Sequence, residues 1–145
     1  MTVAASLISL SLSGCTLVIT TGIFSDVSST HGVQIVAAVA ARGATMDTVT
    51  ARVTNTGARA IFVPRCGRAP LLLAQQFVNG AWLDDDNAAC PSGDALNPIE
   101  LDPGVTIVSV KIFTSRGRFR LVMTVGESED FHNSAQTTSN AFALP

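Results

Sequence analysis

Beyond residue 32 the chain alternates apolar and polar positions with a period of two, and no stretch of ten residues repeats with the period of a helix. Residues 33–41 put Val33, Ile35, Ala37 and Val39 on one side. Residues 48–54 put Val49, Ala51 and Val53 on one side and Thr48, Thr50, Arg52 and Thr54 on the other. Such alternation marks strands with one buried face. Asn55-Thr56-Gly57 reads as a turn, after which residues 60–63 resume the extended pattern until Pro64 stops it. Residues 71–78 and 81–83 flank Asn79-Gly80, a pair suited to a type I′ hairpin turn. Ile99 and Leu101 lead into the turn Asp102-Pro103-Gly104. In the strand that follows, Val105, Ile107 and Ser109 stand opposite Thr106, Val108 and Val110. Ser115-Arg116-Gly117 turns the chain again, and residues 118–125 put Phe119, Leu121, Met123 and Val125 on one face. Residues 126–138 are polar, and 141–144 make a last strand. The pattern predicts an all-β antiparallel sandwich of about seven to eight strands. Trp82, beside the Asn79-Gly80 turn, is expected in the core; on the surface it would instead be a ring for sugars or protein partners.

The N-terminal part differs. Residues 1–25 carry no charge, and 3–12 form a short apolar run ending in Leu12-Ser13-Gly14-Cys15. This has the form of the apolar region and cleavage site of a secretory signal, though no Lys or Arg precedes the run. The four residues resemble the bacterial lipobox. The resemblance implies cleavage before Cys15 and acylation of its sulfur and new amino group, several acyl chains together being enough for a stable anchor. On this reading residues 1–14 are a signal peptide, 15–32 a lipid-anchored tether, and 33–145 the folded domain. Two other readings stay open: a strand at 8–13, and an uncleaved anchor over 3–23, since about 20 apolar residues span a bilayer.

The series Val53-Thr54-Asn55-Thr56-Gly57, Gly80-Ala81-Trp82, Leu101-Asp102-Pro103-Gly104, Gly117-Arg118-Phe119-Arg120-Leu121 and Ser139-Asn140-Ala141-Phe142 resembles immunoglobulin-like domains of bacterial lipoproteins without assigned function. A similar order of motifs occurs in the BsuPI-type intracellular proteinase inhibitor domain. The resemblance covers residues 48–144, and its motifs are turn chemistry and core spacing. It therefore implies an immunoglobulin-like fold rather than an activity.

Three cysteines leave one over in an exported protein. Acylating Cys15 leaves Cys66 and Cys90 to pair, and such a disulfide would stabilise the fold by roughly 3 kcal/mol. Two free buried thiols are the alternative; zinc ligation suits neither the cysteine spacing nor the distant His31 and His132.

Composition narrows the function. The net charge is −2, only 14% of residues are charged, and the longest basic run is Arg116-Gly117-Arg118-Phe119-Arg120, which excludes a nucleic-acid footprint. His31 falls in the tether and His132 in a polar loop without a nucleophile elbow, so no catalytic triad is expected. Glu100, Asp102, Glu127, Glu129 and Asp130 read as solvated acids. Asp84-Asp85-Asp86-Asn87 is the densest acidic cluster, but it lacks the spacing and glycine of an EF-hand loop and reads as a solvated loop, not a calcium site. Arg65, Arg68 and the Cys66 loop read as surface. The sequence thus predicts a non-enzymatic binding or structural module of the cell envelope, without cofactor or metal, anchored to a membrane by lipid and meeting a protein or glycan partner. The alternative is a protease-inhibitor-like domain acting through the exposed loop at 84–98.

Overall fold

The computed structural model describes residues 32–85 and 97–145. Signal peptide, Cys15, tether, His31, Asp86, Asn87 and Cys90 lie outside the described residues. Within them every regular element is a β-strand, and every pairing between strands is antiparallel.

The first sheet contains β1 (Val33–Arg42), β2 (Asp47–Asn55) and β9 (Thr106–Phe113), in the order β1-β2-β9. Its inner face follows the alternation in the sequence: Val33, Ile35 and Ala37 on β1, and Val49, Ala51 and Val53 on β2, are all buried. A bulge at Ala40 shifts the β1–β2 register between Val39 and Ala41. Beyond it, Asp47 accepts the Gly43 N–H at 3.1 Å and ties the hairpin end.

The second sheet is built round β10 (Gly117–Val125). One edge of β10 carries β6 (Leu73–Val78), which in turn pairs with β7 (Ala81–Asp84). The other edge carries β12 (Phe142–Leu144) and β11 (Ala135–Thr138) in succession. A ribbon of β3 (Ile61–Val63) and β8 (Ile99–Leu101) joins through a two-bond bridge between Phe62 and Gly126. β4 (Arg65–Cys66) and β5 (Ala69–Pro70) form a small separate ribbon.

Buried side chains from both sheets and the β3–β8 ribbon make one hydrophobic cluster. At its centre Phe119 is fully buried, 5.0 Å from the Phe113 ring and 6.2 Å from the Phe142 ring, so three aromatic residues of β9, β10 and β12 join the two sheets. Burying one such ring contributes about 2–3 kcal/mol.

There are twelve strands among the described residues, not seven or eight. The surplus comes from pieces too short for an alternation to show, such as β4 and β5, and from β11. That strand lies in the stretch read as polar. Its Thr137 points inward, fully buried, with the hydroxyl donating to the Val33 carbonyl at 3.4 Å, so a small polar side chain fills a place the pattern reserves for an apolar one.

Polar side chains hold the strand ends together. Asn55 is fully buried and its amide is satisfied on every side. Nδ2 donates to the Arg59 carbonyl at 2.7 Å and the Leu101 carbonyl at 2.9 Å, while Oδ1 accepts from the Gly57 N–H at 2.9 Å. The Asn55 backbone bonds Val105 and Gly104, so one residue fastens the turn after β2 to the turn after β8.

Candidate binding surface

The β6–β7 hairpin turns through Asn79 and Gly80, at φ 51° and 85°. Both central residues thus have the positive φ of a type I′ turn, a conformation that favours Asn and Gly. This turn fixes the register in which Phe77 faces Trp82 and Gln75 faces Asp84. β10 pairs with β6 so that Arg120 faces Gln75. Because Phe119, Leu121 and Met123 point into the core, the alternate residues Arg118 and Arg120 point outward beside the hairpin's aromatic rings.

The result is a ladder of rings and guanidinium groups on the outer face of the second sheet. The Phe77 and Trp82 rings are 5.1 Å apart and tilted by 56°. The Arg118 guanidinium lies 5.5 Å from the Phe77 centroid and 5.8 Å from that of Trp82. Arg120 sits closer, 4.5 Å from the Trp82 centroid. Its Nε donates to Gln75 Oε1 at 2.8 Å, and Gln75 Nε2 donates to Asp84 Oδ1 at 2.8 Å. Partial burial draws the Arg120 guanidinium below its ordinary value, yet arginine remains charged throughout the working range of a protein. Among the described residues neither Arg118 nor Arg120 forms an ion pair with a carboxylate. Among the described residues the two charges of this face are held against rings and an amide, not against acids.

Trp82 is half-exposed here instead of buried in the core as expected. The reason is register: Trp82 faces Phe77 across the hairpin, on the side of the sheet that carries Arg118 and Arg120 and not on the side that packs into the core. Even Leu83, on the inward side of β7, is 52% exposed. In the sequence the only hint was the pair Arg118 and Arg120 on the outward parity of a strand whose other parity is apolar.

The remaining candidates gather no comparable chemistry. His132 is 85% exposed and lies 3.4 Å from Asp130. Ser128 donates its hydroxyl to that same carboxylate at 2.5 Å, which leaves the serine bound to the acid and not to the imidazole, unlike a nucleophile and its base. These bonds, Ser128's first, hold the Asp130 carboxyl below its ordinary value, as suits a tight exposed turn. Among the described residues no three His, Cys, Asp or Glu side chains gather round one point. Asp84 is bonded to Gln75, while Asp86 lies outside the described residues.

Arg65 and Cys66 are half-buried in β4, and Arg68 is exposed beyond Gly67. The Cys66 side chain is not free. Lys111, the only lysine, points inward from β9 and donates to the Leu72 carbonyl at 2.7 Å. An open depression of about 470 Å³ includes Arg59, Ile61 and Glu127, but it adjoins Gly32, where the described residues begin.

The chain matches no protein-family model and no curated protein sequence.

Proposed function

We propose that this chain is a bacterial lipoprotein whose folded part, residues 33–145, is an immunoglobulin-like β-sandwich serving as a non-enzymatic binding module of the cell envelope. In this reading residues 1–14 are the signal peptide, Cys15 carries the lipid, residues 15–32 are the tether, and Cys66 pairs with Cys90. Two antiparallel sheets sharing one core favour the sandwich. The binding role rests on one observation above all: two arginines lie against the Trp82 and Phe77 rings on an outward-facing sheet surface. Tryptophan and arginine are the residues most enriched at the energetic centres of interfaces. A charged side chain fixed in advance by stacking loses less freedom when a partner arrives.

The address is tested by the intact mass of the protein purified from its native host, with peptide mapping under non-reducing conditions. The expected result is loss of residues 1–14, gain of acyl chains at Cys15, and a peptide linked through Cys66 and Cys90. A full-length unmodified mass overturns the lipoprotein. The binding role is tested against its alternative by adding the protein to a panel of serine proteases at equimolar concentration. Stoichiometric inhibition would replace the binding module with a protease inhibitor.

A further inference from the structure

We infer that the outer face of β6, β7 and β10 is a binding site for an acidic polysaccharide, with a sugar ring on Trp82 and sugar carboxylates in the Arg118 and Arg120 guanidinium forks. This rests on the reading of the domain as a binding module and names the class of ligand. Charge is the first argument. The chain as a whole is at −2, yet this face presents two guanidinium groups, neither of them paired with a carboxylate among the described residues. A guanidinium bonds a carboxylate through two parallel N–H donors, and stacking on a ring leaves those in-plane donors free.

Geometry is the second. Arg118 and Arg120 are two apart on one strand, so their stems rise from the sheet about 7 Å apart. They present a row of positive groups to a ligand with repeated negative ones. Gln75 holds Arg120 through Nε, and among the described residues the terminal nitrogens carry no hydrogen bond, so they face a partner.

The third argument separates a sugar from other anions. Beside the rings stand Gln75 and Asp84, a bonded amide–carboxylate pair that is exposed to solvent. Such groups suit the hydroxyls of a pyranose, whose C–H face suits the half-exposed indole. An acidic peptide offers carboxylates but few hydroxyls for this pair to bond. A nucleic acid needs a general positive field, which a chain of net charge −2 does not supply. An open sheet face at an edge strand accommodates an extended polymer lying across it.

Trp82 is the only tryptophan, so its fluorescence reports on this face alone. The full chain is titrated with polygalacturonate oligomers, and separately with neutral dextran, poly-L-glutamate and oligodeoxythymidine. The expected result is a saturable change in emission with polygalacturonate only, weakening as salt is raised. Arg118→Gln and Arg120→Gln each weaken binding about tenfold while retaining the parent's circular dichroism. Trp82→Phe, followed by calorimetry, retains measurable binding. No saturable response to polygalacturonate, an equal response to poly-L-glutamate or the oligonucleotide, or unchanged affinity in both arginine variants overturns the proposal. Intact mass from the native host separates this from failure of the lipoprotein reading. An acylated protein that ignores polygalacturonate removes the glycan site and keeps the anchor; an unmodified one that binds it removes the anchor and keeps the site.

Discussion

Asn140 occupies the place of a missing strand beside Ala37: its Oδ1 accepts the Ala37 N–H at 2.8 Å, and its Nδ2 donates to the Ala37 carbonyl at 2.9 Å. The two residues are 103 positions apart. β1 is an edge strand of the first sheet, and unpaired strand edges invite pairing with other chains. One side-chain amide thus satisfies backbone groups that would otherwise stand open, and it ties β1 to the segment leading into β12.

Asn140→Ala is expected to cost about 2 kcal/mol, since two bonds are lost and the backbone groups are only partly buried. Hydrogen exchange at the Ala37 amide should speed up more than at Val49, which lies on the central strand. Asn140→Asp keeps the acceptor but loses the donor to the Ala37 carbonyl, so at pH 7 it should not restore stability. Equal protection of Ala37 in parent and alanine variant would show that the contact does not hold the edge.

Asn55→Ala is expected to be worse, about 3 kcal/mol in a denaturant titration. It leaves the Arg59 and Leu101 carbonyls and the Gly57 N–H without their side-chain partner, one of those bonds being fully buried. Asn55→Asp can still accept from Gly57 but cannot donate to either carbonyl, and should rescue little. A loss below 0.5 kcal/mol, the range of ordinary surface substitutions, would contradict the role of Asn55 as the fastening between two turns.

β9 carries Val108, Val110 and Ile112 on its outer face, 53%, 62% and 61% exposed. An apolar stripe on a sheet-edge strand favours self-association at high concentration. Val110→Lys is expected to reduce light scattering of concentrated protein while changing unfolding free energy by less than about 0.5 kcal/mol. Scattering as strong as the parent's would place the association elsewhere.

Lys111 gives an alkaline signature with a definite sign. Burial lowers its pKa below the ordinary 10.5, and the charge of Asp85 offsets part of that effect. The unfolded chain therefore holds this proton more tightly than the folded one. The desolvation cost is borne in full below the lowered folded value and relieved as pH rises from there towards 10.5. The contribution of Lys111 to stability should accordingly increase over that window. With no tyrosine and a single lysine, few other side chains titrate there. Denaturant titrations at successive pH values should show this rise in the parent and a flatter profile in Lys111→Met. A parent profile falling more steeply than that of the variant would reverse the assignment.

The legible part of the fold is the part governed by neighbours in sequence. Val49, Ala51 and Val53 alternate with threonines and an arginine, and all three are buried. Asn79-Gly80 announces a turn, and both residues take the positive φ it needs. Other features gave no such signal. Asn55 reads only as part of a turn, and nothing near it in sequence shows that it is fully buried, because the Leu101 carbonyl it bonds lies 46 positions on. Thr137 lies in a polar stretch and reaches the core's edge for the same reason. At the candidate site the sequence shows two arginines on the outward parity of β10 and a tryptophan after a tight turn. It does not show that these meet.

By itself, then, the sequence determined which side chains share a face of each strand and where the chain reverses, since backbone geometry sets the period of two and turn residues set the local φ. Tertiary structure alone decided which strands lie side by side, and so which polar residues are buried and which apolar ones are exposed. β7 pairs with β6 at the margin of the larger sheet, in a register that sets Trp82 opposite Phe77. That pairing leaves Trp82 half-exposed under Arg120, because the register between strands, and not the residues next to it in the chain, decides which face of the sheet a side chain joins.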